Sequence, residues 1–128
     1  MVAIARVIDQ PSPLPGAAAQ VIDTQHLFRM TLGELSLQRE VLALFDRQAD
    51  ILLPRIRRGA PAVAAASAHT LKGSALGIGA FKVARAAEAV EHARGCELRG
   101  AAVAAAIDTL AAVLEEAKAE IARLLQAS

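Results

Sequence analysis

Residues Ala101 to Leu125 read AAVAAAIDTLAAVLEEAKAEIARLL. Val103, Ile107, Leu110, Leu114, Ala117, Ile121 and Leu124 recur in steps of four and three, the spacing of an apolar seam that packs against other helices. Neither Pro nor Gly interrupts the run. The rest of the composition agrees: the chain is rich in alanine, with no Trp, no Tyr and three Phe. Alanine is the strongest helix former, whereas sheets favour aromatic and β-branched residues. The expectation is an all-α fold, an antiparallel up-down four-helix bundle with a short extra N-terminal helix.

Working back from the seam, Gly95 to Gly100 reads as a polar turn, and the helix before it carries Phe81, Ala84, Ala87 and Val90 on one side. A further helix is predicted from Pro61 to Ile78. Pro61 suits a first turn, and Gly77 and Gly79 predict a break or bend at the far end. Before it, Leu35, Leu42, Phe45, Ala49, Leu52 and Ile56 form a helical stripe. Thr31 and Glu34 have capping-box spacing at its start. Pro54 is expected to kink this helix or end it near Leu53, because it lacks an amide donor. Arg55, Arg57 and Arg58 suit a helix C-terminus and Gly59 stops it. Asp23 is a good N-cap for a short helix through Leu27 and Phe28. Pro11, Pro13, Pro15 and Gly16 make residues 1–21 a flexible N-terminal arm, so the helical bundle spans residues 22–128.

A chain of 128 residues suits one domain. Fourteen Lys and Arg against thirteen Asp and Glu leave a formal charge of +1, so no strong field favours nucleic acid or an anionic membrane. The N-terminal MVAIARVIDQ is broken by Arg6 and Asp9 and does not read as a signal peptide. No stretch approaches the roughly 20 apolar residues of a membrane span. A cytoplasmic, monomeric protein is expected. Cys96 is the only cysteine; it allows no internal disulfide, fits a reducing compartment and reads as a small helix-end side chain.

The chemistry concentrates in His69-Thr-Leu-Lys-Gly-Ser74 on the predicted third helix. At about 100° per residue, Gly73 lies about 40° round from His69 and Lys72 about 60° the other way. Ala62, Ala65, Ala66 and Leu76 fall within about 60° of the same direction, while Leu71 and Ile78 point roughly opposite, towards a core. An imidazole ringed by small side chains is open to a second protein, so Ala62, Ala65, Ala66 and Leu76 are candidate docking residues. Gly73 weakens a helix by about 1 kcal/mol relative to Ala, which is more readily accepted where a side chain must be absent. Lys72 is a cation within i, i+3 reach of His69 and suited to a phosphoryl group of about −2 charge. Ser74 either helps hold the site or bonds back to its own helix.

Ala68-His69-Thr70-Leu71-Lys72-Gly73-Ser74-Ala75, then Gly77-Ile78-Gly79-Ala80 and then Glu88 and Glu91, resembles the signature of histidine-containing phosphotransfer (HPt) domains. The resemblance covers residues 22–126. It implies a four-helix bundle whose His69 accepts a phosphoryl group, with Lys72 compensating charge and Gly73 giving clearance. It also implies that Glu91 touches the imidazole and orients its proton. The implied partners are response-regulator receiver domains and a hybrid or sensor histidine kinase. Magnesium would sit on the receiver, and the chain would need no cofactor of its own. No P-loop and no acidic cluster at metal spacing occur in the sequence, so the resemblance implies a phosphocarrier with no ATP-dependent kinase activity.

His26 and His92 lack comparable neighbours and read as ordinary helix residues, and none of the three histidines shows paired metal-ligand spacing. The Arg55-Arg57-Arg58 cluster reads as a solvated helix end, with docking of acidic partners as the alternative. Two other functions compete with phosphotransfer: a helical module whose seam drives oligomerisation, and an adaptor that binds receivers without carrying phosphate.

Overall fold

The computed structural model describes residues 20–94 and 100–127. Five helices account for the secondary structure of those residues: α1 (Thr24–Met30), α2 (Leu35–Arg58), α3 (Pro61–Ile78), α4 (Phe81–Arg94) and α5 (Ala101–Ala127). Each long helix touches two others, in the cycle α2, α3, α4, α5 and back to α2, and α1 leans on α3. Phe45, Ile56, Leu71, Val83, Val90, Leu110, Leu114 and Ile121 are among the fully buried side chains, and Val21 and Ile22 already pack against this core. Ile107, Leu110, Leu114, Ala117 and Ile121 of the 4–3 seam are buried, with Val103 and Leu124 packed at its ends. None of these helices is long and apolar enough to cross a membrane. The predicted arm up to residue 19, most of the polar turn and Cys96 lie outside the described residues.

Local chemistry places most helix ends. The Asp23 carboxylate accepts from the His26 amide at 3.1 Å and caps α1. Pro61 opens α3, and Gly59 caps α2 after the three arginines of its last turn. At the end of α3 the Ala80 amide donates to Ala75 O at 2.9 Å and the Gly79 amide to Leu76 O at 3.3 Å, a Schellman ending that requires the left-handed φ of +82° at Gly79. The helix runs through Gly77 to Ile78 and stops at Gly79.

Three expectations fail. Thr31 does not cap α2. Its hydroxyl donates to Leu27 O at 2.7 Å, satisfying a carbonyl at the end of α1, and the left-handed Leu32 and Gly33 separate it from α2. Glu34 is the N-cap of α2 and makes no side-chain capping bond. Pro54 does not end α2 near Leu53. Leu52 and Ile56 are buried on either side of it, and this packing carries the helix on to Arg58. Leu35 belongs to the stripe by spacing but is 58% exposed. It sits in the first turn of α2, where α1 and the end of α5 leave an open cleft beside it.

Polar ties fix the remaining geometry. Lys118 donates to Asp46 at 2.7 Å and Asp50 at 2.8 Å, joining α5 to α2. Arg94 donates to Ile56 O at 2.9 Å, joining the end of α4 to the last turns of α2. His26 is more than an ordinary helix residue: its Nε2 lies 2.9 Å from Leu76 O and its ring meets Phe81 edge-on, with centroids 5.2 Å apart. The Asp23 amide donates to Gly79 O at 2.9 Å, so α1 is clamped to the end of α3.

Two glycines of α3 and its cap should respond oppositely to alanine. A Cβ at Gly79 would meet Asp23 O at 2.7 Å, whereas one at Gly73 would meet nothing within 4 Å. Gly79→Ala should destabilise by about 2–4 kcal/mol, from left-handed strain and overpacking. Gly73→Ala should leave stability unchanged or raise it by up to about 1 kcal/mol. Urea denaturation of both variants measures the contrast, and marked destabilisation by Gly73→Ala would mean that this face is packed.

Candidate functional site

α3 divides into three faces. Ala64, Ala68, Leu71, Ala75 and Ile78 enter the core. Ser74 faces α2, where its hydroxyl donates to Gln48 Oε1 at 2.9 Å. It therefore neither bonds back to its helix nor holds the histidine, and it serves as a tie between helices. The third face is open. Ala62, Ala66, His69, Gly73 and Leu76 are exposed and Ala65 is half-buried, as the small-residue pattern around His69 predicts. A Cβ at Gly77 would also meet nothing within 4 Å.

His69 projects from this pavement with 71% of its side chain accessible. Its Nδ1 lies 3.0 Å from Oε2 of Glu91 on α4. An ionised carboxylate only accepts, so Nδ1 carries the proton and, in the neutral ring, Nε2 is the bare nitrogen. The other Glu91 oxygen, Oε1, lies 3.1 Å from Lys72 Nζ. One carboxylate thus bridges the imidazole and the ammonium. Glu91 and Lys72 keep only 25% of their side-chain surface, so both are held against the protein while the ring stands out.

Partial burial pushes the Glu91 carboxyl up, but the contacts and positive charges of Lys72 and His69 outweigh it and hold the group below its ordinary value of 4.5. The sequence places Lys72 one turn from His69 as a mobile cation; in the folded chain it is paired. The signal for that pairing is weak in the sequence, because Glu91 lies on another helix. Gln48 carries still less of a mark. It is a polar residue one turn after Leu44 on α2, and nothing along the chain points from it to Ser74.

A cleft of 240 Å³ adjoins the site, lined by Lys72, Leu76, Phe81, Ala84, Arg85 and Glu88. Among the described residues no group of three His, Cys, Asp or Glu side chains could hold a metal ion. His92 is exposed on α4 and makes no contact with this cluster in the described residues. Comparison with protein-family models, with curated proteins and with solved structures returns no match. The site is therefore read from its own geometry.

That geometry offers a sterically open nitrogen nucleophile, a carboxylate fixing the ring's proton on the far side, and a cation close enough to meet an incoming anion. The lowered carboxyl also makes stability depend on pH. A folded-state value below the unfolded one contributes stability that is full above the ordinary 4.5 and lost as pH falls through the folded value. Glu91→Gln should lower stability at neutral pH, and its deficit against wild type should shrink as the pH falls through the carboxylate range. Urea melts over a pH series check this; a deficit that stays constant down to low pH would show that the Glu91 charge contributes nothing.

Proposed function

We propose that this chain is a histidine phosphotransfer domain of a two-component phosphorelay, carrying a phosphoryl group on His69 between receiver-domain aspartates in the cytoplasm. The five helices are read as an antiparallel up-down four-helix bundle, α2 to α5, preceded by the short α1. The observation that carries the proposal is the Glu91 carboxylate, 3.0 Å from His69 Nδ1 and 3.1 Å from Lys72 Nζ, beneath an imidazole on an unobstructed surface.

Phosphoryl transfer asks mainly for position and charge compensation. The lone pair of His69 Nε2 attacks the phosphorus of an aspartyl phosphate. The bond from phosphorus to the aspartyl oxygen breaks, and the carboxylate leaves with the electron pair. The new Nε2–P bond puts positive charge on the ring, whose Nδ1–H still faces Glu91. The carboxylate therefore offsets the charge that develops on the imidazole, and Lys72 meets the charge on the phosphoryl oxygens. Transfer to the next receiver is the same step reversed. The receiver would supply the metal chemistry, and this chain supplies nucleophile, proton placement and cation.

An oligomerisation module is the weaker reading. The 4–3 seam of α5 that would drive association is used inside the fold, with Ile107, Leu110, Leu114, Ala117 and Ile121 buried within one chain.

His69→Gln should abolish phosphoryl acceptance while changing stability by less than about 1 kcal/mol, as expected for an exposed side chain. Lys72→Ala should retain acceptance but slow it roughly tenfold, since one screened cation contributes on the order of 1–2 kcal/mol. Gly73→Gln should remain folded, block transfer from a receiver, and still accept label from phosphoramidate. Incubation with a receiver prephosphorylated on aspartate, followed by assay for acid-labile, base-stable label, tests all three. Retained label on folded His69→Gln would refute the proposal.

A further inference from the structure

The open face of α3 continues onto α2. The Ser74–Gln48 hydrogen bond sets the outer sides of the two helices edge to edge. Counted at about 100° per residue from Gln48, Leu44, Ile51 and Arg55 fall within about 60° on the side away from the core, and Arg47 and Arg58 within about 100°. Leu44 and Ile51 are 49% and 53% exposed, and all three arginines are exposed. On the opposite flank of His69, exposed Arg85 of α4 borders the cleft that Lys72 also lines.

The charges are segregated. Among the described residues, every ion pair outside the His69 site has a member on α5: Asp108, Glu116, Lys118, or Glu120 with Arg123. Arg47, Arg55, Arg58 and Arg85 have no carboxylate partner among the described residues. The carboxylates sharing their face are Glu40 on α2 and Glu88 in the Arg85 cleft, besides Glu91, which is committed to Lys72 and His69. A formal net charge of +1 therefore conceals a positive face around His69 and an acidic one along α5.

We infer that the face running from Arg85 across His69 to Leu44, Ile51 and the α2 arginines is a docking surface for a partner domain with an apolar contact centre and a rim of carboxylates. Guanidinium groups match carboxylates in geometry and give up water more readily than ammonium does. Exposed rim charges set encounter rate and salt dependence more than final affinity, while Leu44 and Ile51 supply the dry contact that holds the encounter. The α2 arginines, on a different helix from the nucleophile, then choose among partners that all present the same aspartyl phosphate. Naming the partner a receiver domain rests on the phosphocarrier reading; the chemistry of its contact face does not.

The test uses a panel of isolated receiver domains whose contact faces range from neutral to strongly acidic. In wild type, transfer to His69 should be faster from the acidic receivers and should fall with added salt. In the triple variant Arg47→Gln, Arg55→Gln, Arg58→Gln, kcat/KM should fall about tenfold or more with those receivers and lose most of its salt dependence. Labelling by phosphoramidate, which needs no docking, should be unchanged. Leu44→Ala with Ile51→Ala should raise KM and leave the salt dependence intact. Rates indifferent to receiver acidity, to salt and to the triple substitution would overturn the inference, as would a wild-type protein labelled by phosphoramidate but by no receiver. If neither donor labels wild type, the phosphocarrier reading fails by itself. Calorimetric binding of the same receivers then decides the docking claim: weaker binding in the triple variant supports it, and unaltered or absent binding overturns it.

Discussion

The close apposition of α3 and α4 governs the chemistry of this protein. The buried positions of the two helices are largely alanine: Ala64, Ala68 and Ala75 on one, Ala84, Ala86 and Ala87 on the other. Small side chains let helix axes approach, and only then can a glutamate on one helix span to a histidine on its neighbour. Glu91 does so, and with its second oxygen also holds Lys72. The Schellman ending at Gly79 sets where α3 stops, so that α4 starts at Phe81 and returns past His69 with Glu91 beside it.

A shared carboxylate makes the three groups one electrostatic unit. Burial alone would raise the Glu91 carboxyl, and its contacts with Lys72 and His69 reverse that. The unit is poised for an anion. In the proposed transfer, a phosphoryl group on Nε2 would let Lys72 turn from Glu91 to the new oxygens while Glu91 kept the ring proton, so charge would be redistributed without any helix having to move. The surroundings suit the same chemistry. His69 stands on a pavement of Ala and Gly, and Arg47, Arg55, Arg58 and Arg85, which have no carboxylate partner among the described residues, lie on neighbouring helices.

Elements whose boundaries depend on local chemistry were legible in the sequence. Pro61, Gly79, Asp23 and Gly59 each act through their own backbone or a neighbour within one turn, and α3 spans the predicted residues. The 4–3 seam of α5 was legible for the same reason, since periodicity is a local property. What was not legible depended on competition or on distance. Thr31 has the spacing of a capping box, yet its hydroxyl serves the carbonyl left at the end of α1. Leu35 fits the stripe of α2, but the cleft between α1 and the end of α5 leaves it exposed among the described residues. Pro54 has a local cost that the packing of Leu52 and Ile56 overrides. The partners of Ser74 and Lys72 lie on other helices, and no spacing along the chain announces them. His69 itself stands out through its company of Lys72 and Gly73, while the contact of Glu91 with the imidazole was implied only by a family resemblance and its bridge to Lys72 by nothing in the sequence.

In the proposed transfer His69 presents Nε2 to a phosphoryl donor because Glu91 holds the proton on Nδ1. Nitrogen-15 and phosphorus-31 NMR of the histidine-labelled protein after phosphorylation test this at the atom. Phosphorus should be bonded to Nε2 of His69, with a Nδ1 proton that exchanges slowly in wild type and faster in Glu91→Ala. Phosphorus on Nδ1, on another histidine, or on none would contradict it.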